Sequence, residues 1–243
     1  ETELFSKSKE FYGLFEARNY IIKSEQAIIV EGYFDVICLS QFSIKNVVAT
    51  LGTSFSSYHF QRLIKWTNEI IFMFDGDLAG KKAASRSLQI IIPLMISQEI
   101  VVKFVFLPSG YDPDTFVRKF GSENLKELIF KSVHFSTFLL SFVSENVNLD
   151  FAEGRATAIS KLRKILKDMP SGILKNQIIL EATKKFLCSP DEILLEHNDD
   201  KRKNFYKKNI PLKKPVNLTS SETRMMAILI RIPGKLKTLK AED

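Results

Sequence analysis

Soft metal ligands and long apolar runs are scarce in this chain. Its 243 residues include two cysteines, Cys38 and Cys188, and three histidines. The cysteines lie far apart and form no Cys-x-x-Cys pair, which argues against a disulfide framework and against a zinc site. They read as buried structural thiols of a reducing cytoplasm. Charges interrupt every apolar stretch, so neither a membrane span nor a signal peptide is expected. The chain opens Glu1-Thr2-Glu3 without a Met, which reads as a fragment or a processed chain. His59, His134 and His197 are expected in surface or packing roles, and the single tryptophan, Trp66, in the core.

Hydrophobic residues make up 45% of the chain, enough for a sizeable core. The net charge of +7 is uneven: residues 1–199 hold 23 Lys/Arg against 24 Asp/Glu, and residues 200–243 hold 12 against 4. The basic excess therefore lies in the tail, where residues 199–218 read as a charged, proline-containing linker.

Short β-branched runs at 27–31, 46–50, 70–74 and 100–106 predict four strands. Helical spacing follows them at 34–42, about 56–67 and from 79 to the low 90s. Strand and helix alternate, which predicts a parallel sheet with helices on both faces. Beyond Asp114 the pattern is helical only, at 122–131, 135–147, 151–168, 172–187 and 190–197, with Ser122, Ser171 and Ser189 as N-caps. Ser189-Pro190-Asp191-Glu192 reads as a capping box. An apolar helix begins again at 221–232.

Three acidic clusters fall where strands end: Glu31 with Asp35, Asp75-Gly76-Asp77, and Asp112-Pro113-Asp114. Crowded carboxylates raise one another's pKa, so a cluster implies a cation; hard cations take oxygen ligands and bring phosphates with them. Ligands of parallel sheets bind outside the carboxyl ends of the strands. Asp75 and Asp77 are two apart and point the same way in extended chain. Each cluster also has a plainer reading. Asp-Gly-Asp fits an acidic surface turn, Asp35 a helix start, and Asp112 an N-cap before Pro113. Leu51-Gly52-Thr53-Ser54 fits an anion-binding strand-to-helix turn or an ordinary cap. Gly52, Thr53, Ser54 and Lys81 are the candidate phosphate- or nucleotide-binding residues.

Glu31-Gly32-Tyr33-Phe34-Asp35-Val36-Ile37, Leu51-Gly52-Thr53-Ser54, Phe74-Asp75-Gly76-Asp77-Leu78-Ala79-Gly80 and Leu107 to Thr115 together resemble the TOPRIM half of bacterial DNA primases. The resemblance is strong over residues 5–121 and weaker through the helical segment. It implies an α/β, Rossmann-like four-stranded parallel sheet flanked by helices, then a small α-helical bundle. The implied divisions are an entry segment at 1–24, following an N-terminal subdomain absent from the chain, a TOPRIM catalytic domain at 25–107, the Asp-Pro-Asp loop and bundle at 108–198, a basic linker at 199–220, and a truncated helicase-binding region at 221–243. It further implies that Glu31, Asp75 and Asp77 are catalytic and hold magnesium, for which manganese substitutes, with Asp35, Asp112 and Asp114 as secondary acidic positions. The implied chemistry is two-metal nucleotidyl transfer, making RNA primers on single-stranded DNA. The implied partners are that template, ribonucleoside triphosphates, the RNA–DNA hybrid and the replicative helicase, in the cytoplasm and away from membranes. Leu78 departs from the family, where arginine is common.

Other readings stay open at this point. Another TOPRIM enzyme, such as a nuclease or a topoisomerase, fits the acids, although a topoisomerase needs a tyrosine in a further domain. A haloacid-dehalogenase-type phosphatase would place glycine where Leu78 stands. A primase fragment that binds metal, DNA or helicase without synthesis is the non-enzyme reading.

Overall fold

The computed structural model describes residues 6–52, 54–95 and 99–194. Expectations for Thr53, His197, the linker and the tail lie outside the described residues. Strand β1 (Phe11–Tyr12) and helix α1 (Leu14–Ser24) open the fold. Then β2 (Gln26–Val30), α2 (Tyr33–Gln41), β3 (Val47–Thr50) and α3 (Ser57–Leu63) alternate. They are followed by β4 (Glu69–Phe74), α4 (Leu78–Ile91), β5 (Val101–Phe106) and α5 (Pro113–Phe130). After β6 (Val133–His134) come α6 (Phe135–Val143), α7 (Ala152–Asp168), α8 (Ile173–Phe186) and α9 (Pro190–Leu194).

The strands form one six-stranded sheet in the order β1-β3-β2-β4-β5-β6. The four expected strands are its centre, and all are parallel. The two additional strands pair antiparallel at the edges, Phe11 opposite Thr50 and Lys103 opposite His134. So the segment expected only as an entry is part of the sheet. Its helix α1 buries Leu14, Ala17 and Ile21, spaced three and four apart along one stripe.

Alternation along the strands divides the core. Ile29, Val48, Ile70, Phe72, Phe74 and Phe104 face α1, α3 and α4, and the same apolar body continues into α6–α9. Ile28, Val30, Ala49, Ile71, Met73 and Val105 face α2 and α5. Helix α5 therefore belongs to the sheet and not to the bundle, and the packing has no break at 107–108. The described residues make one compact unit. The helix expected at 122–131 is the second part of α5, which turns sharply at Gly121 (φ 82°). The cap of α8 is Gly172 rather than Ser171. At α9 the Ser189 amide donates to Glu192 (2.6 Å) and Ser189 Oγ accepts from the Glu192 amide (3.3 Å), the expected capping box.

The connections diverge at β2 and β4. The β2–α2 unit leads to one side of the sheet, and β4–α4 leads to the other, on the opposite face. A crevice outside the carboxyl ends of two such strands is where α/β sheets bind ligands.

Candidate active site

Glu31 follows β2 by one residue and Asp75 follows β4 by one. The parallel register sets Ile29 opposite Phe72, which brings the two strand ends level. Asp77 is the N-cap of α4, and its Oδ1 accepts from the Gly80 amide (2.7 Å). Between the two aspartates the chain presses against the β5–α5 loop. Gly76 N–H donates to the Tyr111 carbonyl (3.0 Å), and a Cβ at Gly76 would lie 2.0 Å from the Pro108 carbonyl oxygen. Only glycine admits that approach. It holds the Asp112–Asp114 loop against the end of β4.

The secondary acids are engaged in structure. Asp35 is buried; its carboxylate accepts from the amides of Gly32 (3.1 Å) and Asp114 (3.3 Å). Asp112 caps α5 through the Thr115 amide (2.7 Å) and the Thr115 hydroxyl (2.6 Å). Asp114 pairs with Arg118 (2.5 Å), and the Cys38 thiol and that guanidinium hold its carboxyl below the usual range. The helix-start reading of Asp35 and the cap reading of Asp112 are thus realised, and Asp77 proves to be a cap where the sequence suggested a surface turn. Glu31 and Asp75 differ: among the described residues neither receives a hydrogen bond, and neither forms an ion pair.

The acids share one electrostatic field. Burial, then Asp75, Asp77 and Asp35, push Glu31 upward, against the pull of Arg86. Burial, then Asp112 and Asp77, raise Asp75. Burial followed by the Asp75 charge lifts Asp35 to about 6, against the Gly32 and Asp114 amides.

A cavity of about 320 Å3 lies beside Glu31, walled by Thr50, Gly52, Ser54, Ala83 and Arg86 among others. Gly52 and Ser54 thus line the cavity that Glu31 borders. Lys81 does not; it is on another side of α4, over a separate cavity. Arg86 was absent from the sequence-based candidates. The signal that could have found it is its spacing: Ala79, Ala83, Arg86, Ser87 and Ile90 share one face of α4, and that face lines the cavity.

The Toprim domain family matches residues 25–106, and the DnaB-helicase binding domain of primase matches residues 136–186. The second match covers α6–α8, ahead of the tail that the resemblance assigned to helicase binding. A DNA primase of Legionella pneumophila is 40% identical over 179 residues, 74% of this chain and 31% of that protein. A DNA primase of Buchnera aphidicola is 35% identical over 239 residues, 98% of this chain and 40% of that protein. The chain belongs to the bacterial DNA primase family. A solved primase catalytic domain bound to single-stranded DNA matches the fold with a TM-score of 0.70 at 35% identity, covering 76% of this chain and 59% of that one. The chain spans about a third of the length of the curated primases it matches.

Membership of the Toprim primases implies use of a divalent metal. Among the described residues no three His, Cys, Asp or Glu side chains converge into a ready-made metal cage. The donor chemistry nevertheless fits a hard divalent ion. All the candidates are carboxylates, Glu31 and Asp75 lack any competing donor, and their mutual repulsion is what a cation relieves.

His59 is fully buried. Its Nδ1 accepts from the Ser56 amide (3.1 Å), so Nε2–H donates to the Glu10 carbonyl (3.0 Å). That is a packing histidine. His134 is exposed on β6, Trp66 packs partly buried against the core, and no described helix is long and apolar enough to cross a membrane.

Proposed function

We propose that this chain carries the catalytic acids of a primase, which makes short RNA primers on single-stranded DNA by nucleotidyl transfer. The observation that carries the reading is the pairing of Glu31 and Asp75 at adjacent strand ends. Both are free of hydrogen-bond donors among the described residues, and both are raised by burial and by neighbouring acids. Glu31, Asp75 and the free Oδ2 of Asp77 are the groups that would hold magnesium, or manganese in its place. Bound there, the ions supply charge stabilisation for the attacking hydroxyl and the leaving pyrophosphate. The protein's own part is to fix the carboxylates on rigid strand ends and to offer Arg86 to a phosphate across the cavity. The expected substrates are ribonucleoside triphosphates and a single-stranded template, with an RNA–DNA hybrid as product. The helicase-binding match over α6–α8 supports a replicative helicase as partner, in the cytoplasm.

A second reading is favoured by one observation, that the chain spans 31–40% of the length of its curated relatives. Under it the polypeptide binds metal, DNA or helicase and leaves synthesis to a longer assembly. Ribonucleotide incorporation on single-stranded DNA with magnesium or manganese separates the two. Metal-dependent oligoribonucleotides, lost in Asp75→Ala, are the expected result. No product from folded protein that still binds metal would favour the binding module.

A further inference from the structure

The second cavity around α4 has a composition unlike the first. It measures about 290 Å3 and is lined by Phe106, Phe138, Phe142, Ser141, Lys81 and Glu145. Phe138 is fixed from beneath by Phe104 (centroids 4.4 Å) and by Phe106 (5.3 Å). Rings, not aliphatic chains, supply most of its apolar wall. The Lys81 ammonium is exposed and has no ion-pair partner among the described residues. An apolar slot rimmed by the Lys81 ammonium and the Glu145 carboxylate suits a flat ligand that carries an anionic group on the lysine side and hydrogen-bond donors towards the glutamate.

Its place in the fold narrows the ligand. The Lys81 amide donates to the Asp77 carbonyl (3.2 Å), so the rim begins one helical turn from that acid. Phe106 stands opposite Phe74 in the parallel ladder, the residue before Asp75. The cavity is therefore a neighbour of the acids and distinct from the Glu31–Arg86 cavity. It is too small for a partner helix, whose diameter with side chains is about 10–12 Å. Stacking on aromatic rings is how proteins hold unpaired bases without reading their sequence.

We propose that this cavity is a base-stacking subsite for single-stranded nucleic acid. One unpaired nucleobase enters against Phe106 and Phe142, the adjacent phosphate lies over Lys81, and Ser141 and Glu145 face the edge of the base. The proposal rests on the primase reading, which brings a strand to the neighbouring acids.

The test is fluorescence anisotropy of a short labelled oligodeoxythymidine and of an abasic strand of equal length. The chain, Phe142→Leu, Ser141→Leu, Lys81→Ala and Lys82→Ala are compared, each checked for an unchanged melting transition. Phe142→Leu keeps the apolar bulk and removes the ring; Ser141→Leu fills the slot from an exposed position. The chain is expected to prefer the base-bearing strand by about tenfold, and both variants to lose that preference. Lys81→Ala weakens both strands and lowers the salt dependence, more than Lys82→Ala does. Equal affinity for the two strands, or a preference that survives both leucine variants, overturns the proposal. Loss of helicase binding in these variants with the base preference intact also overturns it, in favour of a protein occupant. Ribonucleotide incorporation is scored on the same samples. A base preference without incorporation supports the subsite and counts against the catalytic reading; incorporation without a base preference overturns the subsite alone.

Discussion

Six carboxylates gather at the strand ends, and their hydrogen bonds divide them. Asp35, Asp77, Asp112 and Asp114 each accept from an amide, a hydroxyl or a guanidinium, whereas Glu31 and Asp75 have no such partner among the described residues. A carboxylate with donors is already compensated, and one without donors needs a cation. Asp75→Ala should therefore reduce incorporation by at least about a hundredfold, since several kcal/mol of charge stabilisation depend on the metal site. Its melting temperature should hold or rise, because a half-buried, repelled charge is removed. Activity within threefold of the parent would place the metal elsewhere. Arg86 is a separate case. Its guanidinium lines the Glu31 cavity, and its Nε bonds back to the Lys82 carbonyl (3.4 Å). Arg86→Gln is expected to raise KM for the triphosphate about tenfold with a smaller change in kcat, and Arg86→Lys to recover part of the loss. A kcat-only defect would mean that Arg86 acts through Glu31 rather than on phosphate.

At the scale of elements, the turn between Asp75 and Asp77 is the sharpest test. Gly76→Ala sets a Cβ 2.0 Å from the Pro108 oxygen, which is backbone and must move. Strand end and β5–α5 loop then part, and a displacement near 1 Å at reacting groups costs about a hundredfold in rate. Steady-state incorporation by a folded Gly76→Ala protein measures it; a rate within a few fold of the parent would show that the acids tolerate the shift. Asp112→Ala is milder: loss of the α5 cap should lower stability by about 1 kcal/mol in urea unfolding. These elements also mark how far sequence reading reached. The four central strands were legible because buried parallel strands are short apolar runs, and the acids were legible because nothing apolar explains them. The edge strands were not, since Phe11–Tyr12 and Val133–His134 are two residues each and owe their form to the neighbours they pair with. Helix α5 was read late because Gly121 breaks its pattern. Arg86 was missed, and Lys81 was grouped with Gly52 and Ser54, for one reason. Both sit on α4, and only packing shows which face of that helix looks onto which cavity.

For the whole molecule the acids are a pH-dependent cost of folding. Asp35 sits at about 6 against an ordinary value of 3.8, and Glu31 and Asp75 are raised as well. Between the two Asp35 values the folded protein binds more protons at that residue than the unfolded chain does, so its contribution to stability is lost as pH rises through about 6, and Glu31 and Asp75 act in the same direction. A shift of two pKa units corresponds to about 3 kcal/mol before solvent screening. In a unit of this size each kcal/mol moves Tm by about 2–4 °C. Metal-free protein should therefore melt several degrees lower at pH 7.5 than at pH 5, once other titrations are subtracted with a variant that adds Asp35→Asn to Glu31→Gln/Asp75→Asn. Magnesium should reverse the loss where the carboxylates are ionised and do little at pH 5, where protons compete for the same oxygens. Differential scanning calorimetry at the two pH values, with and without magnesium, reads this directly. Equal magnesium stabilisation at both would mean that the ion binds somewhere other than these acids. Stabilisation confined to high pH, and abolished in the double variant, would tie the cation to Glu31 and Asp75 by a measurement that needs no turnover.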